Sequence, residues 1–147
     1  MLELDRLHAL ARQIAAERAT WERHVAHDPD ERTFHLLHED DEVSVWLLCW
    51  SPGHDTGFHD HGGSHGAVTV VEGAVREDRL GADGRPQSQE IGVGGLFDVG
   101  PSDIHRVRHA GRAPAVTIHV YSPPLREMGA YVVDYGELRP LDDAAAV

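Results

Sequence analysis

Two histidines stand one residue apart in the segment Gly53-His54-Asp55-Thr56-Gly57-Phe58-His59-Asp60-His61. In an extended strand, side chains at i and i+2 point to the same face. His59 and His61 can therefore hold one ion from one side, while Asp60 faces away. A third imidazole from another strand would complete a facial set and leave coordination positions open. His105, in Gly100-Pro101-Ser102-Asp103-Ile104-His105, is the candidate. Imidazole suits iron, zinc, nickel and copper alike, so these residues name a transition metal without choosing among them. A second constellation is Thr117-Ile118-His119-Val120-Tyr121. Its hydroxyl, imidazole and phenol share one face of a strand, and burying them is costly unless they bond one another.

The elements that must position these groups follow from periodicity. Leu7, Leu10, Ala11 and Ile14 recur at helical spacing between Arg and Glu, which predicts an amphipathic helix over residues 2–24. Asp28-Pro29-Asp30 ends it in a turn. From about residue 32 the chain reads as short β-rich runs: Thr33–Leu37, Val43–Trp50, Gly66–Val71, Ala74–Arg79, Glu90–Val93, Leu96–Val99, His105–Arg108, Ala115–Tyr121 and Tyr131–Tyr135. Gly81–Pro86 is a loop between two of them. Short strands at close spacing with turn residues between them mean an all-β sandwich or barrel. The expected layout is a helical segment at 1–30, a barrel at 31–140 and a disordered tail at 141–147.

Composition removes several function classes. The net charge of −12, from 25 acidic against 13 basic residues, repels a phosphate backbone. The one local basic cluster, Arg106, Arg108 and Arg112, is too small to reverse that, so no nucleic-acid partner is expected. Every basic residue is arginine, and without lysine there is no Schiff-base chemistry. No run approaches the roughly 20 apolar residues of a membrane span. The start of the chain has no signal-peptide pattern, so a cytoplasmic address and no membrane partner are expected. The lone Cys49 excludes an internal disulfide and, inside Val45–Trp50, reads as a buried inert thiol.

The wider spacing is Gly53, five residues, His59-x-His61, four residues, Gly66, six residues, Gly73. It resembles the first cupin signature, with Gly66 where cupins usually place a glutamate ligand. Gly95, five residues, then Pro101-Ser102-Asp103-Ile104-His105 resembles the second, one residue short and with Asp103 for a glycine. Within the cupins the chain resembles the cysteine dioxygenase-like thiol dioxygenases. The resemblance is carried by Leu48-Cys49-Trp50-x-Pro-Gly, His59-Asp60-His61 with Ser64-His65, Ile104-His105-Arg106-Val107, and Thr117–Tyr121 followed by Ser122-Pro123-Pro124. The implied fold is an all-β cupin barrel of jelly-roll type with an N-terminal α-helix packed outside.

The resemblance further implies Fe(II) on three histidines, a small-molecule thiol and O₂ as reactants, and a sulfinic acid as product. Thr117, His119 and Tyr121 would occupy the positions of the family's Ser-x-His-x-Tyr relay. A monomer or small homo-oligomer is expected. Mammalian members cross-link a cysteine to the relay tyrosine; here that position is Gly66, so Tyr121 is expected to be a free phenol. The family's carboxylate-binding arginine has its counterpart near Phe34 to Leu36, with Arg32 two to four residues away. His35, Trp50 and Arg126 are therefore the expected substrate contacts. Cysteine, a mercapto-acid, cysteamine and a thio-imidazole such as ergothioneine all stay open as the thiol. Another metal-dependent cupin enzyme, or a cupin that holds metal and ligand without turnover, is the alternative. His65 is divided between a partner of the ligands and a surface residue, His54 is expected in solvent, and His109 is expected to be structural. Ligand histidines that titrate normally would release metal between about pH 6.5 and 5.

Overall fold

The protein was analysed as a computed structural model that describes residues 1–81, 83–126, 128–134 and 137–140. Helix α1 spans Leu4–Ala16. The strands are β1 Thr33–Glu39, β2 Ser44–Trp50, β3 Phe58–His59, β4 His65–Glu72, β5 Ala74–Leu80 and β6 Pro86–Gly92. They continue as β7 Leu96–Val99, β8 His105–Ala110, β9 Ala115–Ser122, β10 Ala130–Asp134 and β11 Glu137–Pro140. Two antiparallel sheets form, ordered β1-β2-β9-β4-β7 and β11-β10-β3-β8-β5-β6. This is the expected all-β double-sheet barrel with a helix packed outside.

The helix is shorter than its apolar period suggested. It stops at Ala16, and residues 18–20 and 22–24 form two 3₁₀ turns. Trp21 explains the stop. Its buried indole folds back under the helix end and donates from Nε1 to the Ala15 carbonyl at 3.2 Å. That satisfies one of the carbonyls a helix end leaves open, and a continued helix would carry the indole away from it.

Strand β9 organises the rest, because it is buried on both faces. Val116, Ile118 and Val120 join Leu7, Ala11 and Trp21 in the core between α1 and the outside of the first sheet. The alternating residues Thr117, His119 and Tyr121 therefore turn into the barrel. On β2, Val45, Leu47 and Cys49 face the helix, while Leu48 and Trp50 join Val68, Val70, Val75 and Phe97 inside the barrel. Cys49 is buried as expected.

Two short strands lie outside the expected runs, β3 and β11. Strand β3 has only two residues: Gly57 just before it takes a positive φ that an extended strand does not allow, and beyond Asp60 and His61 the chain turns at Gly62 and Gly63, both also at positive φ. His61 thus lies in the turn after β3, not in a strand with His59. Of the expected run Tyr131–Tyr135, Tyr135 lies outside the described residues, as does the expected tail at 141–147. No helix among the described residues is long and apolar enough to cross a membrane. Arg106 and Arg108 are spent on the buried carboxylate of Asp78, at 2.7 and 3.0 Å.

Candidate metal centre

Strands β3 and β8 meet at a single register pair, His59 opposite His105. The turn after β3 then brings in His61, and Asp60 fixes that turn. Its carboxylate accepts from Gly62 N (3.1 Å), Gly129 N (2.9 Å) and Tyr131 Oη (2.5 Å). The result is a cluster of three buried imidazoles, His59, His61 and His105, whose donor atoms all lie within 4.8 Å of one another. Nε2 of His105 lies 3.3 Å from Nε2 of His61, and the ring centroids are 4.7–4.9 Å apart.

The outer ring nitrogens show which atoms face inward. His59 Nδ1 donates to the Gly57 carbonyl (3.0 Å), and His105 Nδ1 donates to Glu77 Oε2 (2.7 Å). A neutral ring with hydrogen on Nδ1 presents a lone pair at Nε2. Burial, followed by the neighbouring His105, depresses His59 to about 3 and His61 to about 2, so both rings are neutral at pH 7. Three buried imidazoles with donor atoms within 4.8 Å of one another, two of them held by Nδ1 hydrogen bonds that leave Nε2 for a ligand, fit a divalent transition metal, the cation such nitrogens ligate. The expectation that these ligands titrate normally near pH 6.5 is overturned for His59 and His61.

The second constellation forms a continuous chain of hydrogen bonds inside the barrel. Trp50 Nε1 donates to Thr117 Oγ1 at 2.8 Å, Thr117 Oγ1 lies 2.7 Å from His119 Nε2, and His119 Nδ1 lies 3.1 Å from Tyr121 Oη. The indole can only donate, so Thr117 Oγ1 accepts from it; when the Thr117 hydroxyl in turn donates to His119 Nε2, the imidazole carries its hydrogen on Nδ1 and donates it to the phenol oxygen. In that tautomer the Tyr121 hydrogen is left to donate elsewhere. The Tyr121 ring stacks on His61, with centroids 5.4 Å apart. Burial depresses His119 to about 3 and raises the Tyr121 phenol above its ordinary range, so both are neutral.

The expected substrate contacts are redistributed. His35 pairs with Leu47, so it projects to the helix side of the sheet, where its exposed ring stacks on His24 at 3.8 Å. Arg126 is exposed and ion-paired with Glu39. Neither joins the cluster. Trp50 does, through Thr117. The cation the sequence reading set aside, as two to four residues from the expected position, is Arg32. It is an even number of residues from Phe34, which pairs with Leu48, so Arg32 turns to the barrel face. Its guanidinium lies over the Trp50 ring at 5.3 Å. Burial lowers its pKa, and its charge acts on His59, His119 and Tyr121. It makes no ion pair among the described residues.

His54 is buried, not solvated. Its Nδ1 accepts from Ser51 N (2.9 Å) and its Nε2 reaches the Pro29 carbonyl (3.2 Å), pinning the loop before β3 to the turn after the helical segment. His65 is half-buried and opens β4 opposite Ser122. His109 bonds the Ala113 carbonyl at 2.7 Å, in the turn between β8 and β9. Glu77 was not singled out in the sequence. Burial alone would raise its carboxyl, but hydrogen bonds from His105, Arg79 and Gln89 outweigh it and hold the group below the usual carboxylate value.

Comparison with known proteins places this geometry. Solved structures similar to the chain include TT1209 from Thermus thermophilus, with TM-score 0.62 and 20% identity over 70% of this chain and 93% of that one. A conserved protein with a double-stranded β-helix domain from Klebsiella pneumoniae has TM-score 0.64 and 17% identity over 73% of this chain and 84% of that one. These likenesses establish the cupin fold. Among curated relatives, cysteine dioxygenase type 1 of Danio rerio is 24% identical over 136 residues, covering 85% of this chain and 68% of the relative. That of Rattus norvegicus is 22% identical over 140 residues, covering 88% and 70%. The family model described as cysteine dioxygenase type I matches residues 1–133. A match of that extent, over a barrel with three clustered histidines, means that the chain belongs to the cysteine dioxygenase type I family.

Proposed function

We propose that this protein is a mononuclear non-haem iron thiol dioxygenase that converts a small carboxylate-bearing thiol into its sulfinic acid. The balanced reaction is R–SH + O₂ → R–SO₂H, with both oxygen atoms delivered to sulfur. The observation that carries the reading is the company kept inside the barrel: the three-histidine cluster, the Tyr121 phenol stacked on His61, and the half-buried guanidinium of Arg32 over Trp50, whose charge acts on His59 and Tyr121. His59, His61 and His105 would hold the iron. When bound, iron supplies the Lewis acidity that favours a thiolate and the electronic route to reaction with O₂.

The protein's own groups then supply orientation. Arg32 offers a planar fork of donors that matches a carboxylate, and Trp50 beneath it holds the guanidinium plane. This favours cysteine or a mercapto-acid over cysteamine, which has no carboxylate. Tyr121 donates its hydroxyl hydrogen to the reacting end of the substrate, held in register by His119, Thr117 and Trp50. Neutral and buried, that phenol orients without exchanging its proton with solvent.

The test is O₂ uptake by anaerobically iron-loaded protein against cysteine, a mercapto-acid, cysteamine and ergothioneine, with sulfinate measured in parallel. One sulfinate per O₂ is expected, with the best turnover on an amino-acid or mercapto-acid thiol. Absence of sulfinate from every thiol in the panel would overturn the reading.

A further inference from the structure

The three histidines do not have equivalent surroundings. His59 Nδ1 meets a neutral backbone carbonyl, and His61 Nδ1 is buried with no partner among the described residues. His105 alone meets a carboxylate, Glu77 Oε2 at 2.7 Å, with both side chains 2% exposed. A carboxylate this deep is costly unless hydrogen-bonded. Here two donors besides His105 close on it, Arg79 Nη2 on Oε2 and Gln89 Nε2 on Oε1, both at 2.9 Å.

We infer that Glu77 is a positioning residue that fixes His105 as a ligand and lends a site of three histidine rings a negative charge one hydrogen bond away. A carboxylate accepting from Nδ1–H locks the ring orientation and pushes electron density toward Nε2, which makes that nitrogen a better donor. No side chain at Gly66 supplies charge from the neighbouring sheet. Arg79 works against Glu77: it bonds the same oxygen and draws off part of the charge that His105 would feel. Glu77 and Arg79 stand at i and i+2 on β5 and so share its face. Their effects on His105 have opposite sign. The inference rests on the metal-site part of the proposed function and not on its thiol chemistry, since any divalent ion bound by His105 would feel it.

A purely structural role makes a different forecast. If the triad of Arg79, Glu77 and His105 only holds the barrel together, damage to either flanking residue weakens the site in the same direction. The experiment compares full-length wild type, Glu77→Gln and Arg79→Gln, stripped of metal with a chelator. Co(II) affinity is read by absorbance in competition with a chromophoric chelator, and the Fe(III)/Fe(II) midpoint potential is measured on iron-loaded protein. Glutamine at 77 keeps the shape, and Gln89 can turn its amide to present oxygen to the new NH₂ group.

Glu77→Gln is expected to bind Co(II) roughly 10- to 100-fold more weakly and to raise the iron potential, because the oxidised ion loses a nearby negative charge. Arg79→Gln is expected to bind Co(II) at least as tightly as wild type and to lower the potential. Glu77→Gln at wild-type affinity and potential would overturn the inference. So would weakening in both variants without a change in potential. If Glu77→Gln fails to fold, Arg79→Gln decides: a lower potential supports the inference and an unchanged one overturns it. Inactivity toward every thiol, with the Co(II) affinities in the expected order, would count against the proposed function while supporting this inference.

Discussion

A Cβ built on Gly66 falls 2.9 Å from Cε1 of Tyr121 and 3.0 Å from Cγ2 of Val99, so the phenol ring fills the volume that any side chain at position 66 needs. The two residues face each other in the β4–β9 register. Gly66→Ala should displace the ring from its stack on His61, at a cost of about 1–3 kcal/mol of overpacking. Metal content should hold while turnover falls, checked by thermal unfolding and steady-state kinetics. Wild-type stability and turnover in the variant would mean the ring has room to spare. With no thiol at position 66, Tyr121 should also run as a free phenol, giving one species on a denaturing gel.

Tyr121→Phe removes only the hydroxyl and leaves the ring that packs on His61. A hydrogen bond to a charged group is worth about 1.5–3 kcal/mol, so the rate should fall roughly 10- to 100-fold with iron loading unchanged. Steady-state assays that measure O₂ and sulfinate together check this. Undiminished, fully coupled turnover would reduce Thr117, His119 and Tyr121 to a structural strand.

Arg32→Gln separates the substrate contacts. The apparent KM for cysteine and mercapto-acids should rise roughly 10- to 100-fold, the value of a charge-assisted pair, while that for cysteamine stays put. His35→Gln and Arg126→Gln should leave both unchanged, since His35 sits on the helix side and Arg126 is an exposed partner of Glu39. A KM effect from Arg126→Gln alone would move the carboxylate anchor away from Arg32.

Acid should act on the fold before it acts on the folded metal site. In the unfolded chain a histidine titrates near 6.5, whereas burial holds His59, His61 and His119 at about 3, 2 and 3 in the folded protein. Below pH 6.5 the unfolded chain binds protons that the folded chain does not. Stability of the metal-free protein is therefore lost as pH falls from about 6.5 toward 3, at about 1.4 kcal/mol per ring per pH unit. Thermal unfolding of chelator-stripped protein at pH 7, 6 and 5 measures it. A flat profile would show that these rings are solvated in the folded state.

Much of the site was legible because it is local. Thr117-x-His119-x-Tyr121 lies within one strand, where spacing of two residues already places side chains together, and His59-x-His61 lies within one short stretch, although the turn after β3 and not strand alternation brings His61 in. The barrel was legible for the same reason: the continuous apolar run of β2 and the apolar alternation of β9 report burial strand by strand. The end of the helix was not, because Trp21 folds back on the Ala15 carbonyl through a contact outside the helical period.

The sequence by itself determined the candidate ligand types, the Thr117-His119-Tyr121 constellation and the class of fold, since each depends on side-chain chemistry at short range. Tertiary structure decided what depends on register between distant strands. Arg32 and His35 are three residues apart, and only the pairing of Phe34 with Leu48 and His35 with Leu47 shows which one faces the metal centre. Glu77 is one of 25 acidic residues, and nothing in its neighbourhood marks it until β5 and β8 bring it to His105, 28 residues along the chain. The ionisation of the ligands was likewise decided by packing. A histidine is ordinary in sequence, and it stays neutral well below its usual range only when the barrel closes around it and water is excluded.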